Sequence, residues 1–239
     1  MSPGCSEAES GLQLLSSGIG IEWVAMSCCC PHSRSGSRLF SRLARRYRRR
    51  FEKKGLEASE RQLVEGIERA GLANVSLLEI GSGVGYLNQY LLKRGAATAV
   101  GVDLAPKMVE EAEALARKNG FAERTRYHVG DFVESAETFD SADVAILDKV
   151  ICCYPDVERM VKTSVAKARR VYAYTIPRDR WYTRFFTALI DVMLRVIGSN
   201  FQSYVHDPKQ IEAWVTAAGL TKHYENHTFI WLTRVYARG

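Results

Sequence analysis

The chain has 239 residues, 46% of them hydrophobic and 25% charged, with a formal net charge of +6. That composition excludes a wholly disordered or collagen-like chain and allows one large α/β core with an extension. The charge is uneven: residues 1–33 sum to −3, residues 34–54 to +9 and residues 55–239 to zero, which argues against a nucleic-acid substrate held across a broad basic face.

Residues 1–37 mix Gly, Ser and Cys without a sustained period and read as a flexible N-terminal leader, with Met26 as an alternative start of the functional chain. Neither a secretory signal nor a transit-peptide pattern precedes Cys5 and the run Cys28-Cys29-Cys30, and adjacent cysteines are poor disulfide partners. A reducing compartment, the cytoplasm, is therefore expected. Residues 38–72 read as a helical lid. Leu39, Phe40, Leu43, Tyr47 and Phe51 line one helical face, while Arg42, Arg45, Arg46, Arg49 and Arg50 fill much of the rest, giving a basic amphipathic helix. A second helix is expected over 59–70, with Ser59 as N-cap and Gly71 as its stop.

Residues 73–239 form the main domain. Apolar, β-branched runs predict strands at 76–80, 97–102, 125–129, 144–147 and 171–175, and helical patterns fall at 86–94, 106–119 and 156–168. Alternation of this kind predicts a doubly wound α/β fold with a mostly parallel sheet. Two more helices, over 179–196 and 208–218, lead to strands at 221–225 and 229–237, close enough for an antiparallel hairpin and a total of seven strands. The apolar stretch 185–198 contains Asp191 and Arg195 and falls short of the roughly 20 residues a bilayer span needs, so it reads as a helix within the protein.

The segment Leu77-Leu78-Glu79-Ile80-Gly81-Ser82-Gly83-Val84-Gly85-Tyr86 is a strand running into a glycine turn and a helix, a form that lets backbone approach a ligand closely. A dinucleotide fingerprint would place its third glycine at position 86, where Tyr86 stands. With Gly101-Val102-Asp103, Gly130-Asp131-Phe132 and Leu147-Asp148-Lys149 after the next three strands, the segment resembles the motifs of class I S-adenosylmethionine-dependent methyltransferases, a Rossmann-like family. The resemblance implies S-adenosylmethionine as cofactor. It implies cofactor-binding roles for Glu79, Gly81, Gly83, Gly85, Asp103, Leu104, Asp131, Phe132 and Asp148, with Asp103 accepting from the ribose hydroxyls.

The run Asp148-Lys149-Val150-Ile151-Cys152-Cys153-Tyr154-Pro155-Asp156, with Tyr204-Val205-His206 and Pro177-Arg178-Asp179-Arg180-Trp181, is similar to the magnesium-protoporphyrin O-methyltransferase-like branch and its uncharacterised bacterial relatives. Where the porphyrin enzymes carry histidine before Tyr-Pro, this chain has Cys153. Lys149, Cys153, Tyr154 and Arg178 are the expected substrate-pocket residues. Methyl transfer mainly requires alignment of donor and acceptor, and a base only if the acceptor carries a proton. His206 is the first candidate base and Tyr47 the second. The acceptor expected is a small molecule, and the field of the basic helix suits an anionic one. No metal, nucleic-acid partner or transmembrane segment is expected. Two alternatives remain open at this point: thiol-dependent methylation of a metalloid such as arsenite through the cysteines, and a non-catalytic S-adenosylmethionine-binding protein.

Overall fold

The computed structural model describes residues 31–196, 199 and 201–239. Residues 1–30 of the expected leader, with Cys5, Met26 and Cys28-Cys29-Cys30, lie outside the described residues. The first helix, α1 (Pro31–Lys54), starts at its proline rather than at residue 38. Proline suits a first helical turn because its missing N–H would have no intrahelical partner there. The most buried α1 side chain is Ala44, which the apolar stripe did not include. It packs with Val84, Ala105 and Met108, where a methyl group lets the helix approach closely.

Helix α2 (Ala58–Ala70) starts one residue before its expected position and is capped by Glu57 rather than Ser59. The Glu57 N–H donates to the Glu60 carboxylate at 2.6 Å, and the two side chains complete a capping box. Gly71 ends the helix as expected.

The sheet comprises β1 (Ser76–Ile80), β2 (Thr98–Asp103), β3 (Thr125–Val129), β4 (Ala142–Asp148), β5 (Ala168–Pro177), β6 (Thr221–His227) and β7 (Trp231–Ala237), in the order β3-β2-β1-β4-β5-β7-β6. The first five strands pair in parallel, while β7 runs antiparallel to both β5 and β6. The intervening helices are α3 (Tyr86–Lys93), α4 (Pro106–Lys118), the short α5 (Phe132–Ser135), α6 (Val157–Ala166), α7 (Trp181–Val196) and α8 (Pro208–Ala217). This is the α/β fold expected from the sequence, with α5 as an addition.

Alternating side chains divide the core into two layers. Leu78, Ala145, Leu147, Tyr172 and Tyr174 face α5, α6 and α8, while Leu77, Val144, Ile146, Val171 and Ala173 face α2 and α3. Helix α2 crosses β6 and β7 at Gly66, where an added Cβ would lie 2.5 Å from Val235 Cγ2 and 2.7 Å from Tyr224 Cδ1. Gly66→Ala gains roughly 1 kcal/mol of helix propensity but incurs roughly 1–3 kcal/mol of overpacking. A lowered midpoint in thermal denaturation is the expected result.

Helix α7 departs most from expectation. Phe185, Phe186, Leu189, Ile190 and Met193 are exposed, whereas Asp191 is buried and its Oδ1 accepts the Ser203 N–H at 3.1 Å. The helix is apolar on its solvent side. No described helix is long and apolar enough to cross a membrane.

Candidate active site

The carboxyl ends of β1, β2 and β4 open onto a cavity of about 210 Å³, with α1 lying over it. The glycine turn forms one wall. Gly81, Gly83 and Gly85 have φ of 68°, 52° and 69°, in the left-handed region that side chains disfavour. Their reasons differ. A Cβ on Gly81 would collide with Val150 and one on Gly85 with Tyr127, whereas a Cβ on Gly83 meets nothing within 4 Å because the space beside it is the cavity. The turn is tied to β2: Gly81 and Ser82 donate to the Val102 carbonyl at 2.7 and 3.1 Å, and Gly83 donates to Asp103 Oδ2 at 2.8 Å.

Asp103 Oδ1 accepts the Ala105 N–H at 2.8 Å, so the carboxylate is fixed while each oxygen retains a lone pair for a further donor. Burial raises its pKa and the two backbone donors oppose the rise. Glu79 is buried, accepts the Asn88 N–H at 3.2 Å, and is pushed well above the carboxylate range by burial, then by Asp148. Asp131 caps α5 through the Val133 N–H at 3.0 Å, and its neighbour Phe132 stacks on Phe139 with centroids 5.9 Å apart. Glu79, Gly81, Gly83, Asp103, Leu104, Asp131, Phe132 and Asp148 all line the cavity, whereas Gly85 shapes the turn from behind.

Lys149 follows β4 with φ 58°, an uncommon conformation for a non-glycine residue. Its ammonium lies 2.6 Å from Glu57, 3.4 Å from Glu60 and 3.5 Å from Asp148, and 5.5 Å from the centroid of the Trp231 ring. Burial alone would lower its pKa, but the three carboxylates outweigh burial and raise it. Glu57 and Glu60 were missed by sequence reasoning. Their three-residue spacing at a helix start was the available signal, but nothing local shows the partner lysine 92 residues away from Glu57.

Helix α1 contributes Phe40, Tyr47 and Phe51 to the lining. Phe51 stacks on Tyr86 with centroids 4.8 Å apart, and Arg48–Glu111 and Lys118–Glu52 pairs, each 2.7 Å, hold α1 against α4. Burial raises the Tyr47 pKa, with Lys149 opposing it, so this phenol remains protonated and is a poor base at neutral pH. Arg45, Arg46 and Arg49 are exposed, and none lines the cavity.

Two of the expected residues, His206 and Arg178, lie elsewhere. His206 does not line the cavity: its Nε2 lies 3.2 Å from the Ile151 carbonyl, and its ring stacks on Tyr204. It thus supports the loop after β4 from behind. Arg178 also lies away from the cavity, with Nη1 donating to the Thr228 carbonyl at 3.2 Å near the β6–β7 turn. Cys153 and Tyr154 line the cavity, but Cys152 is buried, 3.8 Å from the Cys153 sulfur. Hydrogen bonding to Cys153, followed by burial, raises the Cys152 thiol well above its ordinary range. Among the described residues no group of three or more His, Cys, Asp and Glu side chains is arranged to hold a metal ion.

Burial lowers the His206 pKa, so unfolding exposes a ring that binds protons more readily. Between the folded value and the unfolded one near 6.5, stability therefore falls as pH falls. Thermal denaturation of the parent and His206→Gln between about pH 7 and about pH 5 should show the parent's advantage shrinking on acidification.

Residues 78–171 match the family model described as "Methyltransferase domain". The chain is 34% identical over 87 residues to ribosomal protein L11 methyltransferase of Deinococcus radiodurans, covering 36% of this chain and 32% of that protein, so it spans about a third of that relative's length. Among solved structures it resembles magnesium protoporphyrin IX methyltransferase from Synechocystis PCC 6803 with bound S-adenosylmethionine, at TM-score 0.64 and 15% identity over 89% of this chain and 100% of that one. It also resembles geranyl diphosphate C-methyltransferase from Streptomyces coelicolor A3(2), at TM-score 0.66 and 12% identity over 88% and 99%. The open space beside Gly83 and the remaining acceptor capacity of Asp103 suit S-adenosylmethionine, the molecule bound in the Synechocystis structure. The matched segment is thus similar to a methyltransferase domain, and the strand order with its glycine turn is the class I methyltransferase fold of these solved structures.

Proposed function

We propose that the protein transfers the methyl group of S-adenosylmethionine to a small, uncharged, largely apolar acceptor bound beneath α1. The observation carrying this reading is the composition of the cavity beyond the glycine turn. Phe40, Tyr47, Phe51, Cys153, Tyr154 and Met160 offer apolar surface, and the one cation among the described lining residues, Lys149, is already engaged by three carboxylates. An anionic acceptor would face Glu60, Glu79 and Asp148 without a cation left to receive it. The charge of α1 lies outside, on exposed arginines. The cytoplasm remains the proposed location, on the strength of the adjacent cysteines.

When bound, S-adenosylmethionine supplies an activated methyl group. The chain's own contribution is to hold the acceptor in line and exclude water, which the apolar face of α1 favours. For an acceptor bearing a proton, Glu60 is the proposed base: it lines the cavity, and burial raises its carboxyl, with Lys149 opposing. Cys153 lines the cavity and Cys152 packs behind it, and among the described residues no third donor joins them, so the metalloid reading has no support from the described site.

Glu60→Gln tests the role of this carboxylate. Glutamine can serve at the same capping position, so the fold and donor affinity should persist. The turnover number on a hydroxyl-bearing acceptor should fall roughly 10²–10⁴-fold. Unchanged turnover in steady-state kinetics would remove Glu60 from proton transfer. Screening metabolite extracts with methyl-labelled donor tests the acceptor class: label should enter products that partition into organic solvent, and label confined to anionic products would overturn the class proposed.

A further inference from the structure

We propose that α7 and the adjacent β6–β7 turn dock this protein on the surface of an anionic lipid bilayer. The helix reverses the usual polarity of a surface helix. Thr183 and Asp191 are 4% and 9% exposed, whereas Trp181 is 80%, Phe185 60% and Met193 61% exposed. Phe229, 67% exposed, extends the apolar face, held to α7 by its stack on Tyr182 at 4.6 Å and by the Tyr182 hydroxyl donating to its carbonyl at 2.9 Å. A contiguous apolar surface of this kind marks an interaction site rather than an ordinary solvated face.

The helix has 16 residues, too few to span a bilayer and sufficient to lie in its interface. Trp181 stands at one end, and Arg195 can keep its charge at headgroup level while its stem follows the apolar face, whereas Arg184 is paired with Asp179 at 2.7 Å.

Charge distinguishes the bilayer from a second copy of the chain. Phe40 of α1 packs edge-on against Phe201 at 5.4 Å, which sets α1 beside the segment that follows α7. Arg38, Arg42, Arg46 and Arg49 on α1 are exposed, and none has an ion pair among the described residues. Pairing two copies through α7 would supply these arginines with no counter-charge. Anionic headgroups would instead attract them. The docking does not depend on the proposed reaction, although an apolar acceptor dissolved in the bilayer would then be close to the cavity.

Vesicle flotation of the full chain tests the proposal. The parent should float with phosphatidylcholine vesicles containing phosphatidylserine, and binding should weaken more than about tenfold with phosphatidylcholine alone or at high salt. Phe185→Ser/Ile190→Ser/Met193→Ser should lose flotation while retaining parental circular dichroism and S-adenosylmethionine affinity, because those side chains are exposed and away from the cavity. Arg38→Glu/Arg42→Glu/Arg46→Glu should lose the preference for anionic vesicles. Failure of the parent to float, or equal flotation of the α7 triple variant, overturns the proposal. Equal binding to both vesicle types overturns its anionic requirement. A parent dimer by sedimentation velocity that the α7 variant dissociates, without vesicle binding, assigns the face to a second copy and likewise overturns it.

Discussion

Gly83→Val is expected to abolish S-adenosylmethionine binding while leaving the chain folded. At φ 52° a β-branched residue is strained, costing roughly 1–2 kcal/mol of stability. No protein atom lies within 4 Å of the new Cβ, so no packing penalty is added. The added carbons would project into the cavity, at the point where the backbone has to meet the ligand. Calorimetric titration should show donor affinity falling beyond about a hundredfold, equivalent to roughly 2.8 kcal/mol, with only a modest decrease in thermal midpoint. Asp103→Ala should weaken the donor comparably for another reason. It removes the proposed ribose acceptor and deprives the Gly83 and Ala105 N–H groups of their partner, loosening the turn that forms the cavity wall. Unchanged affinity in both variants would separate the cavity from the cofactor.

Lys149→Met carries the largest expected effect on stability. The lysine side chain is 20% exposed and stands among Glu57, Glu60 and Asp148. Removing one partner of a fully buried ion pair costs about 3–5 kcal/mol, and partial exposure reduces that to about 2–3 kcal/mol here. Burial already raises Glu60 and Asp148, and Lys149 opposes both shifts. Without it their folded-state values rise further, so the folded variant binds protons more readily than its unfolded chain. Its deficit should be greatest at neutral pH and above and should shrink on acidification, when the carboxylates become neutral. Denaturant melts across that range test the sign. Adding Glu57→Gln to the variant should recover part of the loss, since one repelling charge disappears.

The bounds of β1 and β3 were legible because a short apolar or β-branched run ending at glycine is a local signal. The same holds for the glycine turn and for Asp103 and Asp131 at the ends of β2 and β3, which brought the lining of the cavity within reach of the sequence. Long-range geometry was not legible. The spacing of Leu39, Phe40, Leu43, Tyr47 and Phe51 gave the stripe on α1 from which Phe40, Tyr47 and Phe51 reach the cavity, but not the deeper burial of Ala44 beside Met108 of α4. Ser59 has a capping side chain, yet the reciprocal bonds between Glu57 and Glu60 start α2 one residue earlier. His206 and Arg178 were chosen for their chemistry, and each spends its ring or guanidinium on a backbone carbonyl outside the cavity. In α7 the apolar stretch was readable, but its composition does not tell which side of a helix faces inward. Asp191, which interrupts the apolar stretch, is the inward residue that receives the Ser203 N–H.

The most direct test of the central claim is methyl transfer from labelled S-adenosylmethionine to a fractionated metabolite extract, run side by side with the parent and Gly83→Val. The parent should convert a small apolar acceptor to a labelled product that partitions into organic solvent, and Gly83→Val should yield none despite remaining folded. Donor binding by the parent without transfer to any fraction, or equal labelling by Gly83→Val, would contradict it.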